Sequence, residues 1–344
     1  ELLFMERYLD WLRPNGVVSV IVPDSILYNK GLFADLRRAL GRYFEVVSSI
    51  SLPPVTFASA GTSTKTSVLT LRKRDSAEAA TRSTYFAVCT DVGYAVSSRG
   101  AQRSIVPSGE DQLPSILREA TRQCDEKIGK SAHLDAKASR WDANFNKGLP
   151  DWVQRKIGTR KHELLRLGDV AHLVTRRGDP RRLGADSFNY IEISNVDIES
   201  GRVTSKEVAT ADAPSRARKV VAAKDILFST VRPERRCVGV VPEGLDGAFC
   251  STGFAVLEVR EVELDPLVIR QLLCSDFVTL QVLQHNVGIS YPAIDESCLE
   301  EIVLPCDISE LANVSKLGET VSLLTADLLR AQSELKSAVD EMMG

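Results

Sequence analysis

The feature that most restricts the fold is a run of six residues, Val17-Val18-Ser19-Val20-Ile21-Val22, set between Pro14-Asn15-Gly16 and Pro23-Asp24. All but Ser19 are β-branched and apolar. So short a run favours a strand, and its lack of polar alternation asks for apolar neighbours on both faces. Before it, Leu2, Met5, Leu9 and Leu12 form a helical stripe with Leu3 and Tyr8 beside them; after it, Leu32, Phe33, Leu36 and Leu40 form another. Strands are expected again over 44–52 and 67–72. Helix and short apolar strand in alternation are the grammar of a parallel α/β sheet. These elements amount to about half of an open sheet, which leaves one edge bare.

Residues 73–84 are polar and alanine-rich and read as a loop. A strand is expected at Tyr85–Val88, then a turn-rich stretch from Val92 through Gly109, then a helix over 115–124. Gly148 and Pro150 lie between Trp141 and Trp152 and mark a junction, so the domain boundary falls within 130–160. From Leu164 onward the pattern changes to short strands between turns: 189–193, 220–221, 226–229, 238–241, 248–250 and 254–259. One helix is expected over 265–283, and a short last element contains Leu299, Ile302 and Val303. In the tail, Leu317, Val321, Leu324, Leu328, Ala331, Leu335, Ala338 and Met342 follow one another at alternating steps of four and three. That stripe suits a coiled-coil seam with a partner helix, and equally an amphipathic helix lying on its own domain.

A chain of 344 residues suggests two domains. Its net charge of −3 conceals an uneven distribution. Residues 151–185 and 201–242 each carry nine basic and four acidic side chains, whereas 308–344 carry three basic and six acidic. Positive charge in mid-chain suits phosphate neutralisation, or an ordinary solvated basic surface. Seven dispersed cysteines without a CxxC pair read as reduced thiols in a cytoplasmic protein, and four histidines lack metal-ligand spacing. No apolar run reaches the eighteen residues that would suggest a membrane span, so no membrane partner is expected. The start at Glu1, with no signal-peptide pattern after it, reads as a fragment entered in mid-domain.

Two stretches together resemble a known family. Leu12-Arg13-Pro14-Asn15-Gly16-Val17 through Pro23-Asp24, followed by Phe57-Ala58-Ser59-Ala60-Gly61-Thr62-Ser63-Thr64-Lys65-Thr66-Ser67 and an apolar strand, is similar to the C-terminal half of the catalytic domain of N6-adenine DNA methyltransferases. Within that family it resembles the modification subunit of type I restriction systems. The resemblance implies residues 1–130 as the C-terminal half of a Rossmann-like methyltransferase sheet. It implies S-adenosylmethionine as methyl donor for the full-length protein only. The family's glycine-rich cofactor loop is missing: no two glycines in this chain are separated by one residue. The one Pro-Pro pair, Pro53-Pro54, lacks the preceding Asn or Asp and the following aromatic of the family's catalytic loop. Both parts are expected before Glu1, and this chain alone is expected to be inactive. Phe57 matches the family's aromatic that stacks on a flipped adenine, a contact that replaces the base's lost neighbours. Its other reading is a core phenylalanine. Thr62, Thr64, Lys65 and Thr66 suit phosphate contacts flanking that base, or a solvated turn.

A second resemblance covers about 164–305. Tyr190-Ile191-Glu192-Ile193-Ser194-Asn195-Val196, Asp225-Ile226-Leu227-Phe228-Ser229-Thr230-Val231-Arg232-Pro233, Ser251-Thr252-Gly253-Phe254 and Gly288-Ile289-Ser290-Tyr291-Pro292 look like target recognition domains of type I specificity subunits. This implies a mixed α/β domain that reads double-stranded DNA, reached through a linker over 131–163. A long C-terminal helix over 308–344 would serve as spacer, and its stripe would recruit a restriction subunit or a second copy. Arg232, Arg235 and Arg236 are the DNA contacts expected here, to phosphate or bidentately to guanine. Ser229, Thr230, Ser251 and Thr252 suit phosphate donation or turn bonding, and Tyr190 and Tyr291 read as framework aromatics. The reading of the whole is adenine-N6 methylation and sequence-specific DNA recognition within a restriction-modification system. The alternative is a DNA-binding specificity protein that catalyses nothing.

Overall fold

In the computed structural model the described residues are 2–75, 84–99, 102–125, 140–160, 163–260, 264–286 and 292–316. They fall into two compact units, and the chain passes from one to the other between Gly148 and Leu149.

The first unit opens with α1 (Leu2–Trp11) and β1 (Val17–Pro23), joined by a turn in which Asn15 takes a left-handed φ of 62°. After α2 (Asp24–Tyr28) and α3 (Leu32–Leu40) come β2 (Phe44–Ser51), β3 (Thr66–Lys73) and β4 (Tyr85–Val88), in the sheet order β1-β3-β2-β4. β3 runs antiparallel to both β1 and β2, and β4 runs parallel to β2. The sheet is therefore mixed, where alternation alone predicts it parallel. The physical reason lies between β2 and β3: that connection holds a 3-10 turn, Pro54–Ala60, and no crossover helix to carry the chain back. β1 and β2, which α2 and α3 do separate, keep the parallel sense on either side of β3.

Leu69 and Leu71 of β3 are fully buried and share a core with Val22, Ile26, Leu27, Leu40 and Phe86. β1 pairs with β3 alone among the described residues, and its Val17 and Ile21 remain about half exposed. Leu3, Phe4 and Trp11 of α1 are exposed as well. β5 (Val92–Arg99) and β6 (Gln102–Asp111) form a separate two-stranded ribbon, followed by α4 (Leu113–Asp125). Within the expected linker over 131–163, the described residues divide between the two units. Residues 140–148 belong to the first unit: Trp141 and Ala143 are buried in its core, beside α5 (Ala143–Asn146). Arg140 fastens this stretch by donating to both Asp142 carboxylate oxygens, at 2.8 and 2.9 Å, and by lying over the Phe145 ring.

The second unit begins at Leu149 with α6 (Asp151–Thr159) and α7 (Leu167–Val170). Its strands are β7 (Ala171–Leu173), β8 (Ser187–Ile191), β9 (Lys206–Ala209), β10 (Ala217–Val220), β11 (Ile226–Ser229), β12 (Val238–Val240), β13 (Phe249–Ser251) and β14 (Phe254–Val259). They build two four-stranded sheets, β10-β13-β8-β9 and β12-β11-β14-β7. The second of these is buried on both faces. Ile226, Phe228, Ala255 and Leu257 pack with the helical layer, while Leu227, Phe254 and Val256 pack with Ile191 and Cys250. Successive residues of a strand point to opposite faces, so a double-sided sheet needs runs such as Ile-Leu-Phe without alternation.

The helix expected over 265–283 is two, α8 (Pro266–Leu273) and α9 (Asp276–Gln284). Ser275 separates them because its hydroxyl accepts the amide of Val278 and caps the second. Residues 308–316 are helical, and Arg160 ties that start to the end of α6 through Asp307 and Glu310. The heptad stripe over 317–342 lies outside the described residues. Cys89, Cys237 and Cys250 are buried free thiols, and Cys298 is buried as well. Among the described residues, no single helix is long and apolar enough to cross a membrane, and no cluster of three or more metal-ligating side chains occurs.

Candidate nucleic-acid interface

In the first unit Phe57 sits in the 3-10 turn between β2 and β3, closed by Gly61 at φ 92°. Its ring is half-buried against Leu52, Cys89 and Val92, beside Tyr94. Thr62, Ser63 and Thr64 are exposed, with the hydroxyls of Thr62 and Thr64 bonded at 2.8 Å. Lys65 is turned elsewhere: its Nζ lies 3.8 Å from Asp24, a carboxylate only 4% exposed that also accepts the Ser67 hydroxyl at 2.7 Å. Burial raises the Asp24 pKa, and the Ser67 bond and Lys65 oppose that rise. Thr66 is buried, and its hydroxyl has no partner among the described residues.

In the second unit the segment linking β11 to β12 holds the predicted arginines. Arg232 and Arg236 take left-handed φ values of 51° and 54° on either side of a 3-10 turn, Pro233–Arg235. Two non-glycine residues in that region store strain, which the surroundings must offset. The amide of Arg232 donates to the Pro292 carbonyl, and Val231 bridges to Ala293. Arg235 is exposed and Arg232 half-buried. Arg236 points into its own unit, donating to the Cys274 carbonyl at 3.1 Å and pairing with Asp276.

Arg232 and Arg235 line a hollow of about 1300 Å³ together with Arg202, Arg216, Ser194 and Asn195. Among the described residues, Arg202, Arg216 and Arg235 enter no ion pair. One wall is the loop 197–201. Asp197 accepts both the amide and the hydroxyl of Ser200, bonds that hold its carboxyl below the usual range. Arg270 pins the loop from beneath: its buried guanidinium donates to the carbonyls of Ile198 (2.9 Å), Glu199 (3.1 Å) and Val238 (3.1 Å). Gly201, at φ 72°, is required there, since a Cβ would stand 2.5 Å from the Arg270 Nε.

The hydroxyls expected beside these arginines are largely spent inside the fold. Ser229 donates to the Val231 carbonyl, Thr230 to the Gly253 carbonyl, and Ser251 accepts the Gly253 amide. All three residues are buried, so the expectation of phosphate donation is corrected to turn bonding. Thr252 is exposed, in a smaller hollow of about 390 Å³ with Arg177, Arg218 and Lys219. Tyr190 is a framework aromatic, 5% exposed and edge-on to Phe188. Its phenol pKa is raised by burial, against the Ser251 hydrogen bond. Tyr291 lies outside the described residues.

Residues 1–134 match the family described as N-6 DNA Methylase. That stretch contains β1 to β6 and the Phe57 turn, and it ends before α5. Over 70 residues the chain is 41% identical to the defense against restriction protein B of Escherichia phage P1, covering 20% of this chain and 3% of the phage protein. Among solved structures, it is similar to the HsdS subunit from Thermoanaerobacter tengcongensis (33% identity, 52% of this chain and 47% of that one, TM-score 0.40). It is also similar to a chain from a type I R-M system studied for complex assembly and conformational transition (32% identity, 52% and 47%, TM-score 0.42). The chain thus spans about half the length of these solved relatives.

The described residues of the first unit do not fit S-adenosylmethionine. The left-handed glycines of the first unit, Gly31, Gly61, Gly93, Gly109 and Gly148, serve a helix start, the Phe57 turn, the ribbon and the interdomain stretch. None opens a helix directly after a strand, as a cofactor loop does, so no step is assigned to the methyl donor here. Sequence reading missed Arg202, Arg216 and Arg270. The first two come from segments well separated from Arg232 in sequence, and only the packing of two sheets brings them to one hollow. For Arg270 a signal existed: a charged residue inside an apolar helix has to find buried acceptors.

Proposed function

We propose that this chain is part of an adenine-N6 DNA methyltransferase of a restriction-modification system, with its own sequence-reading unit. The observation that carries the proposal is the N-6 DNA Methylase match over residues 1–134, in the unit where Phe57 sits on a half-buried turn. In this reading Phe57 stacks on the extruded adenine, flanked by Thr62 and Thr64, while S-adenosylmethionine is held by polypeptide outside these residues. Lys65, paired with Asp24, acts on the turn rather than on phosphate. The second unit supplies the choice of sequence. Arg202, Arg216, Arg232 and Arg235 bring four guanidinium groups to one hollow, a charge density that suits the phosphates of duplex DNA. An arginine that reaches the major groove can also fork onto guanine O6 and N7. The helix beginning at 308, continued by the 317–342 stripe, would dock a restriction subunit or a second copy.

Single-molecule sequencing of DNA from cells with and without the full-length gene tests this. The expected result is methylated adenine in one motif, present only with the gene, and a new motif when residues 164–305 are exchanged. Identical genomes would leave the DNA-binding protein without catalysis, which the arginine hollow alone would still support.

A further inference from the structure

The β5–β6 ribbon presses on the turn that carries Phe57. Its base is fastened by Asp91, whose carboxylate accepts the amides of Gly93 (2.8 Å) and Glu110 (3.0 Å). Gly93 and Gly109 take left-handed φ values of 77° and 68°, and the strand register shifts between Val92 and Tyr94. Bulges of this kind aim the strand that carries them. Along the ribbon Ile105 and Val106 are 56% and 44% exposed, so no core of its own holds it in place. A two-stranded ribbon by itself is marginal in water. Val92 anchors its base in the apolar cluster with Leu52 and Cys89, and beyond that base the ribbon rests on the turn.

The Tyr94 hydroxyl donates to the Thr56 carbonyl at 2.8 Å, and the Arg103 Nη1 donates to the Ala58 carbonyl at 2.9 Å. These are the carbonyls immediately before and after Phe57. One donor comes from each strand of the ribbon, so the two bonds bracket a single residue. Within the turn, bonds to the Pro53 carbonyl from the Thr56 hydroxyl (2.7 Å) and to the Ala58 carbonyl from the Gly61 amide (3.1 Å) hold its two ends, whereas the bond from the Thr62 amide to the Phe57 carbonyl is long at 3.4 Å and 3-10 geometry is poor. Tyr94 also packs in the same apolar cluster as Phe57. We infer that the β5–β6 ribbon is the positioning device of the Phe57 turn, with Tyr94 and Arg103 as positioning residues that fix the direction of the ring. The value of a fixed direction rests on the reading of Phe57 as the stacking aromatic: stacking needs one plane, and a loose ring would meet the base at many angles.

The test places 4-fluorophenylalanine at position 57 of the full chain and records its ¹⁹F resonance. The parent is expected to give one sharp line. Tyr94→Phe and Arg103→Ala each broaden or split it, the double variant more so, while Arg103→Lys restores much of the sharpness. Val106→Ser, on the opposite face of the ribbon from Tyr94 and Arg103, leaves it unchanged. Melting temperatures close to the parent's show that each variant folds. An unchanged line in the double variant would overturn the inference. A second arm adds a short duplex with one unpaired, bulged adenine, and the same duplex without the bulge. A ring-current shift specific to the bulge, present in the parent and lost in the double variant at equal overall DNA binding, supports both readings. No bulge-specific shift in the parent, with the free line still broadened by the variants, leaves the clamp standing and removes only the stacking role.

Discussion

At the scale of single residues, the neighbouring arginines of the β11–β12 segment divide by what their side chains touch. Arg235 is exposed and enters no ion pair among the described residues, whereas Arg236 holds Cys274 and Asp276. Arg235→Ala is expected to weaken DNA binding and to reduce the salt slope of the binding constant by about one, read from titrations at several salt concentrations. Arg236→Ala should leave that slope in place and lower stability by about 1 kcal/mol, read by urea unfolding. The reverse pattern would exchange their roles. The buried thiols give a pH signature. Burial pushes Cys237 up to about 11 and Cys250 up to about 12, from an ordinary value of 9.0. The folded state therefore holds these protons more tightly than the unfolded chain. That contribution to stability is complete below pH 9 and is lost as pH rises through 11 and 12. Urea midpoints measured from pH 8 upward should fall less steeply in Cys237→Ala than in the parent. Parallel curves would mean that the thiol titrates in the folded state as it does in the unfolded one.

At the scale of elements, Arg270 on α8 decides the shape of the loop over 197–201. Replacing it by Met keeps much of its apolar stem but leaves three carbonyls without donors, at about 2–4 kcal/mol in stability. The structure predicts faster amide exchange confined first to 197–201, together with weaker DNA binding. Exchange that rises evenly through the second unit would instead give Arg270 a general structural role. Elements of this molecule were legible from sequence where burial is two-sided. Ile226–Ser229 and Phe254–Val259 carry unbroken apolar runs, and both strands run as expected. β9 was not legible, because Lys206-Glu207-Val208-Ala209 is an exposed edge whose partner, β8, alone dictates its form. Nor was β6: Pro107 and Gly109 read as breakers, yet a ribbon edge tolerates a missing amide and uses glycine for its bend. The candidate site followed the same rule. The Phe57 turn and the Arg232–Arg236 segment were readable because each is local, whereas the four-arginine hollow exists only once distant segments pack.

At the scale of the whole molecule, the two units have separate cores. Leu71 lies among the residues of the first, and Leu227 lies between the two sheets of the second. Removing a fully buried leucine to alanine costs about 2.7–5 kcal/mol through lost transfer energy and the cavity left behind. With separate cores, each loss stays with its own unit. Leu71→Ala is then expected to move one step of a urea unfolding curve, and Leu227→Ala the other, with near-additive effects in the double variant. DNA binding measured alongside carries the functional consequence. If the arginine hollow belongs to a self-sufficient reading unit, Leu71→Ala leaves affinity intact at urea concentrations where its own unit has unfolded, and Leu227→Ala abolishes it. A single shared transition, moved equally by both substitutions, would mean that reading and modification are one cooperative body, and exchanging residues 164–305 would then disturb both.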